Sequence, residues 1–547
     1  MRSVLGLPCV LVFSITIQVI FGAKAHGEDW ISGLQQTAAK TNQCETLHWG
    51  PNPQKYSTWS THSNRLVPVY SFGVSLDSVR GEQSVYRRSE DLKRLYGHLP
   101  EGTHNPEADY FDQTDIYHLQ KRAIDQGKRR VILFVFDGMD WQTSRAAAIA
   151  KTHRVSYAEG RGSGLHLQDY RGVQTDFGYC VASPHNNGTS VNVDRQIVTS
   201  PGGTISGGYA FEVAGVFPWS DPVRAGYPIG EDELIQHAFP DSAASGTSMM
   251  TGIKTYNDAI NVDYLGREVI PIARTLQEKS WKVGVVTSVP ISHATPACAY
   301  ANNVHRDDYQ DLTRELLGLP SIFHPGGLPG VDVLIGAGWG VEKSNDEAQG
   351  ENFEAGNRYL TAADRQKIDS RNGGEYIVAE RTVGTDGGSV LRQAVSQAIQ
   401  HRKRLFGYFG GEGGHLPFQT ANGDFKPVES ASSSGATRAE VYSAEDLREN
   451  ATLREMTIAA MDVLEAGSQQ WWLMVEAGDV DWANHANNID NSIGAVLSGD
   501  QAFQAATQWI ETHGGWQDTC VIVTADHGHY LVLDSPGNLV ATPSSSD

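Results

Sequence analysis

The sequence predicts an α/β fold with an open, mostly parallel sheet sandwiched by helices, and three observations carry that prediction. First, apolar runs of strand length recur: VILFVF (131–136), WKVGVVTSV (281–289), VDVLIGAG (331–338), LFGYF (405–409), WWLMVEAG (471–478) and TCVIVTADHG (519–528). Near-continuous apolar runs of this length mark strands covered on both faces. Second, helical patterns such as SRAAAIAK, SVLRQAVSQAIQHRKR and LREMTIAAMDVLEAG fall between them, as parallel crossovers require. Third, several runs end in oxygen or imidazole donors: Asp137, His293 with Thr295, Glu476, and Asp526 with His527. Open α/β sheets bind their ligands at that edge.

Taken from the N-terminus, residues 1–25 read as a secretory signal, with Arg2, an apolar run from Val4 to Phe21, and an Ala23-Lys24-Ala25 cleavage site. The expectation is an exported chain, periplasmic or extracellular, with no stable membrane association after cleavage. Residues 26–129 are polar and irregular and are expected to form an extension packed against the core. Residues 130–547 are expected to form the main α/β domain, with insertions at about 155–236 and 410–445. The cysteines show no C-x-x-C pairing, which argues against a cysteine zinc site, and an oxidising compartment permits one or two disulfides. The formal net charge of −21 disfavours nucleic acid or anionic membrane as a partner. An anionic substrate therefore needs a local cation, either a metal or an arginine.

The stretch Asp241–Asp263, DSAASGTSMMTGIKTYNDAINVD, places Ser242 between an acid and a run of small residues. That pattern puts the hydroxyl at the first turn of a helix, where unpaired N–H groups and a partial positive charge suit a reaction that builds negative charge. A lone Asp after a strand is more often a helix cap than a ligand; several strand ends carrying donors change that balance. In EAGDVDWANH, Asp481 and His485 are four apart and share one face of a helical turn, so both can grip one cation. Histidine with carboxylate suits Zn²⁺, whereas Asp, Thr and Glu oxygens suit Mg²⁺, and Asp137 has an oxygen for each. Arg306, in NNVHRDDY, is the candidate guanidinium for the non-bridging phosphate oxygens.

With those residues in view, the chain resembles the alkaline phosphatase family. The resemblance rests on FDGMDW (136–141), PDSAASGTSMMTGIKTYNDAINVD (240–263), VVTSVPISHATPA (285–297) with Arg306 beyond it, VEAGDVDWANHAN (475–487) and VTADHGH (523–529). It implies an alkaline-phosphatase-like fold and hydrolysis of small phosphomonoesters through a phosphoserine, with two zinc ions and one magnesium. It makes Ser242 the nucleophile and Asp137 the ligand shared by magnesium and the second zinc. Thr295 and Glu476 become magnesium ligands, Asp481 and His485 bind the first zinc, and Asp526 and His527 bind the second. Arg306 becomes the phosphate clamp, oriented by Asp241, and His293 is either a ligand or a neighbour of the magnesium site. Relatives are often dimers, so a homodimer is a further expectation.

The sequence departs from the family pattern in places. The family supplies a further histidine to the first zinc from a segment well beyond the TADH motif, and no histidine follows His529 here. His415, in GGEGGHLPF, is the sequence candidate to replace it. Asp140 and Ala477 stand where the family has glycine, and Trp482 stands at a variable position. The alternatives are a phosphodiesterase or sulfatase relative, whose sulfatase form needs a different serine or cysteine motif, and a phosphate-binding pseudoenzyme lacking the first zinc.

Overall fold

The computed structural model describes residues 29–203, 205–432 and 435–540. The expected signal segment therefore lies outside the described residues. Among the described residues the central sheet has ten strands, in the spatial order Tyr376–Glu380, Arg404–Tyr408, Val333–Ala337, Lys282–Pro290, Trp471–Ala477, Arg130–Phe136, Thr519–Thr524, Val67–Phe72, Thr175–Val181 and Phe111–Asp112. The first seven run parallel to one another. Val67–Phe72 then lies antiparallel to both of its neighbours.

The parallel register is what gathers the site. Glu476 is paired with Val135 on one side and Thr287 on the other, and Thr524 is paired with the same Val135. Asp137, Glu476 and Asp526 therefore emerge along one edge, as chain direction in a parallel sheet requires. The strands are buried on both faces, with Trp471, Trp472, Phe136 and Val521 fully enclosed. Helix Ile489–Thr512 packs on Trp141–Thr152 and Leu453–Gly467, and helix Ser242–Thr251 packs on Asp115–Asp125 and Ala294–Cys298.

Two expectations are corrected. The N-terminal region is no mere extension: all six residues of Val67–Phe72 are buried inside the sheet, hydrogen-bonded to the strand that leads into Asp526. The expected insertion at 155–236 likewise contains a sheet strand, Thr175–Val181. Cys44, Cys180, Cys298 and Cys520 are all unpaired thiols. Among the described residues no helix is long and apolar enough to cross a membrane.

Candidate active site

Helix Ser242–Thr251 starts at a cap built from its own sequence: the Asp241 side chain accepts from Ala244 N at 2.9 Å, which leaves Ser242 at the first helical position. Ser242 is fully buried, and its Oγ lies 3.1 Å from His527 Nε2 and 3.5 Å from Asp137 Oδ1. Small residues along this helix allow that close packing. Gly246, for example, could not carry a Cβ without meeting Cys298 Sγ at 2.9 Å.

Arg306 is tied to the start of the same helix. Its Nη1 donates to Asp241 Oδ2 at 2.8 Å, and its backbone N donates to Asp258 O at 2.8 Å. Burial alone lowers the basicity of a guanidinium, but the Asp241 carboxylate outweighs it and Arg306 stays firmly charged. Burial and the neighbouring Asp241 push Asp258 up to about 6.

Asp137, Glu476, Asp481 and Asp526 have relative exposures of 1%, 0%, 3% and 0%, and among the described residues none pairs with a lysine or arginine. Burial, then repulsion from Asp526 and its other acidic neighbours, raises Asp137 well above the usual carboxylate range. Burial lifts Glu476 to about 8 and Asp526 to about 6. Burial raises Asp481 as well, but contacts with His485, His529 and His62 outweigh it and hold this carboxyl well below its ordinary value.

The donors fall into groups. His527 Nε2 lies 3.4 Å from both Asp137 Oδ1 and Asp526 Oδ2. Asp526 Oδ1 is occupied by the Gly138 and His527 backbone N–H groups, so its buried Oδ2 is left with no hydrogen bond. Asp137 Oδ2 accepts from Thr295 Oγ1 at 3.4 Å. Glu476 Oε2 accepts from the Thr287 hydroxyl, and its buried Oε1 has no partner. Asp481 Oδ1 lies 3.3 Å from His485 Nε2 and 2.7 Å from His529 Nε2. His485 Nδ1 lies 2.7 Å from the Ser60 carbonyl, which can only accept, so this nitrogen carries the proton and Nε2 presents its lone pair. Gly138 permits the assembly: at φ +69°, an added Cβ there would meet His529 Nε2 at 2.6 Å and Asp481 Cα at 3.1 Å.

Sequence reasoning missed two contributors, Thr287 and His62, and left His529 open as either a neighbour of the ligands or an exposed residue. His529 bonds the Asp481 carboxylate directly, and Thr287 holds Glu476. His62, from the polar run THSNR, places Nε2 at 3.0 Å from His485 Nε2 and 3.5 Å from Asp481 Oδ1. Asp481, His527, His529 and His62 together bring one ligand atom each within 4.8 Å of one another.

His415 is not at this centre, which corrects the sequence expectation. Its Nδ1 is 2.6 Å from Leu416 O and its Nε2 is 3.1 Å from Glu440 Oε1, so both ring nitrogens are engaged elsewhere. His293 joins neither donor group. It lies half-buried in the pocket wall, 5.7 Å from the Trp482 ring between centroids, with desolvation and Arg306 lowering it to about 3. Asp140, in place of a glycine, caps helix Trp141–Thr152 by accepting from Thr143 N at 2.9 Å. The site opens into a cavity of about 850 Å³ whose wall includes Asp241, Arg306, His485, Phe239, Tyr309 and Trp482.

The family model described as alkaline phosphatase matches residues 230–540. Alkaline phosphatase 4 of Bacillus subtilis is 26% identical over 288 residues, covering 52% of this chain and 49% of that protein. Alkaline phosphatase 3 of the same organism is 28% identical, over 55% of this chain and 53% of that protein. The chain thus spans about half the length of these two relatives. The crystal structure of Thermus thermophilus alkaline phosphatase superposes with a TM-score of 0.44 at 20% identity, over 74% of this chain and 60% of that one. With more than half of its residues matched by the family model, the chain belongs to the alkaline phosphatase family.

Proposed function

We propose that this protein is a metal-dependent phosphate monoester hydrolase acting through a phosphoserine on Ser242. One observation carries the reading: four buried carboxylates, none paired with a lysine or arginine among the described residues, gather with histidines around a serine at a helix N-terminus whose cap, Asp241, also holds Arg306. Uncompensated buried charge of this density is costly, and bound cations are its usual remedy.

The donor chemistry fits zinc and magnesium. A tetrahedral zinc with donors at 2.0–2.1 Å has donor–donor edges of about 3.3–3.4 Å. The His527–Asp137 and His527–Asp526 separations, both 3.4 Å, and the Ser242–His527 separation of 3.1 Å lie close to that spacing. Asp137, Asp526 and His527 would hold one zinc, and Asp481 with His485 another. Asp137 Oδ2, Thr295 and the unpartnered Glu476 Oε1 form an all-oxygen set suited to magnesium. When bound, such cations stabilise the negative charge that develops on the entering, leaving and non-bridging oxygens.

The chain's own groups do the rest. Asp241 caps the helix and orients Arg306, whose fork binds two non-bridging oxygens and aims phosphorus at Ser242. The Ser242 oxygen forms its bond to phosphorus as the ester P–O bond breaks in line, releasing the alcohol. Water then displaces the serine, giving inorganic phosphate and restoring the hydroxyl. Burial disfavours the imidazolium of His527, which favours the neutral ring that a cation donor requires. The width of the cavity, with Trp482, Phe239 and Tyr309 in its wall, supports a range of alcohol groups.

The test is turnover of a chromogenic phosphomonoester by the full chain, with and without chelator, for wild type and Ser242→Ala. Chelator-sensitive turnover that Ser242→Ala abolishes is expected; turnover indifferent to both would refute the mechanism.

A further inference from the structure

The segment from Ser57 to Arg65 lies far outside the matched residues 230–540 and was featureless as sequence. In the structure it is pinned from two sides. Toward helix Asp479–His485 and the turn after it, the Ser57 hydroxyl donates to Asn487 Oδ1, Asn487 Nδ2 donates to Trp59 O at 2.9 Å, and the Ser60 carbonyl lies 2.7 Å from His485 Nδ1. Toward the chain after strand Thr519–Thr524, Ser63 N donates to Gly528 O at 2.8 Å and Arg65 Nη1 donates to Leu531 O at 2.7 Å. His62 is thereby held between the two segments that carry Asp481, His485, His527 and His529.

Its nitrogen completes a triangle. The separations are 3.0 Å for His62 Nε2–His485 Nε2, 3.5 Å for His62 Nε2–Asp481 Oδ1 and 3.3 Å for His485 Nε2–Asp481 Oδ1. Those are the proportions of one face of a zinc tetrahedron, whose edge is about 3.3–3.4 Å. His62, Asp481 and His485 all line the cavity, so a cation held by these three donors would keep a position open to substrate, as catalytic sites do.

We infer that His62 is the third protein donor of the Asp481/His485 cation, so that a residue near the start of the described chain completes the centre whose other donors lie more than four hundred residues later. The two regions are joined elsewhere as well. His48–Trp49 pairs antiparallel with Leu531–Val532, Ser535 N donates to Thr46 O at 3.0 Å, and Trp30 Nε1 donates to Asn538 O at 2.7 Å. Spatially, residues 46–72 continue from strand Thr519–Thr524 and the segment that follows it.

This inference rests on the metal-dependent reading above, and its test separates the two. Zinc content and zinc affinity are measured on the full chain by chelator competition for wild type, His62→Ala, His62→Gln and His415→Ala, with cobalt absorption spectra of the same proteins and unfolding midpoints of their metal-free forms. Wild type should hold at least two zincs. Both His62 variants should unfold like wild type without metal yet bind one zinc at least ~100-fold more weakly, since loss of even an indirect partner costs up to about that much. Their tetrahedral cobalt signal should fall by one site, and His415→Ala should match wild type. Unchanged zinc affinity and cobalt spectrum in either His62 variant would overturn the inference while leaving the metal-dependent reading intact. A wild type that holds no zinc would overturn both.

Discussion

Arg306 Nη1 donates to Asp241 Oδ2 at 2.8 Å, and the same Asp241 caps the helix that begins with Ser242. One carboxylate thus fixes both the helix that carries Ser242, the proposed nucleophile, and the guanidinium of Arg306. Arg306→Ala should weaken inhibition by inorganic phosphate by roughly 10–100-fold, the worth of hydrogen bonds to a charged group. Arg306→Lys should recover only part of that loss, because an ammonium cannot form the two-pronged contact. Inhibition constants and zinc content check this together, and zinc loss in place of weakened phosphate binding would make Arg306 structural.

Removal of metal should lower thermal stability as well as activity. Asp137, Glu476, Asp481 and Asp526 would then face one another without a cation. Added zinc at about a thousand times its dissociation constant should restore about 4 kcal/mol. Calorimetric melts with chelator and with zinc replenished measure it; coincident melts would contradict the cation assignment.

Gly138→Ala should be disruptive out of proportion to its size. A Cβ at this left-handed position would collide with His529 Nε2 at 2.6 Å, and the backbone strain adds about 1–3 kcal/mol. Zinc content and melting temperature should both fall, whereas Gly127→Ala, with open space around it, should spare the zinc.

Away from the site, Asp115 gives a pH signature. Burial, then repulsion from Asp112, lifts it to about 8, only partly offset by Lys254 and Arg88. The folded chain keeps a proton that the unfolded chain releases near pH 4. This residue's contribution is therefore most favourable below about pH 4 and is lost as pH rises toward 8, at up to about 1.4 kcal/mol per pH unit. Asp115→Asn should flatten that part of the stability profile. Denaturant titrations between pH 5 and 9 decide it, and parallel profiles would contradict it.

Much of this architecture is legible in the sequence, for reasons that also explain the gaps. The six apolar runs are strands because parallel strands are covered on both faces and so read as continuous hydrophobic stretches. Val67–Phe72 escaped because Pro68 argues against an interior strand and the run is short. Thr175–Val181 escaped because TDFGYCV mixes Asp and Gly into its pattern. Donors at strand ends could be found, since the carboxyl edge of a parallel sheet is a position that sequence order predicts. His62 could not be, because its place depends on loop-to-loop hydrogen bonds with Gly528 and Asn487 across hundreds of residues. The sequence candidate for a further nitrogen donor was His415, which the structure places elsewhere.

The most direct test of the central claim is to trap the covalent intermediate. Full-length protein loaded with zinc and magnesium is mixed with a phosphomonoester, quenched in acid, digested and mapped by mass spectrometry. The account predicts one phosphoryl group on the peptide bearing Ser242, absent after chelation and absent in Ser242→Ala. Phosphate on another residue, or rapid turnover with no phosphopeptide under any quench condition, would contradict it.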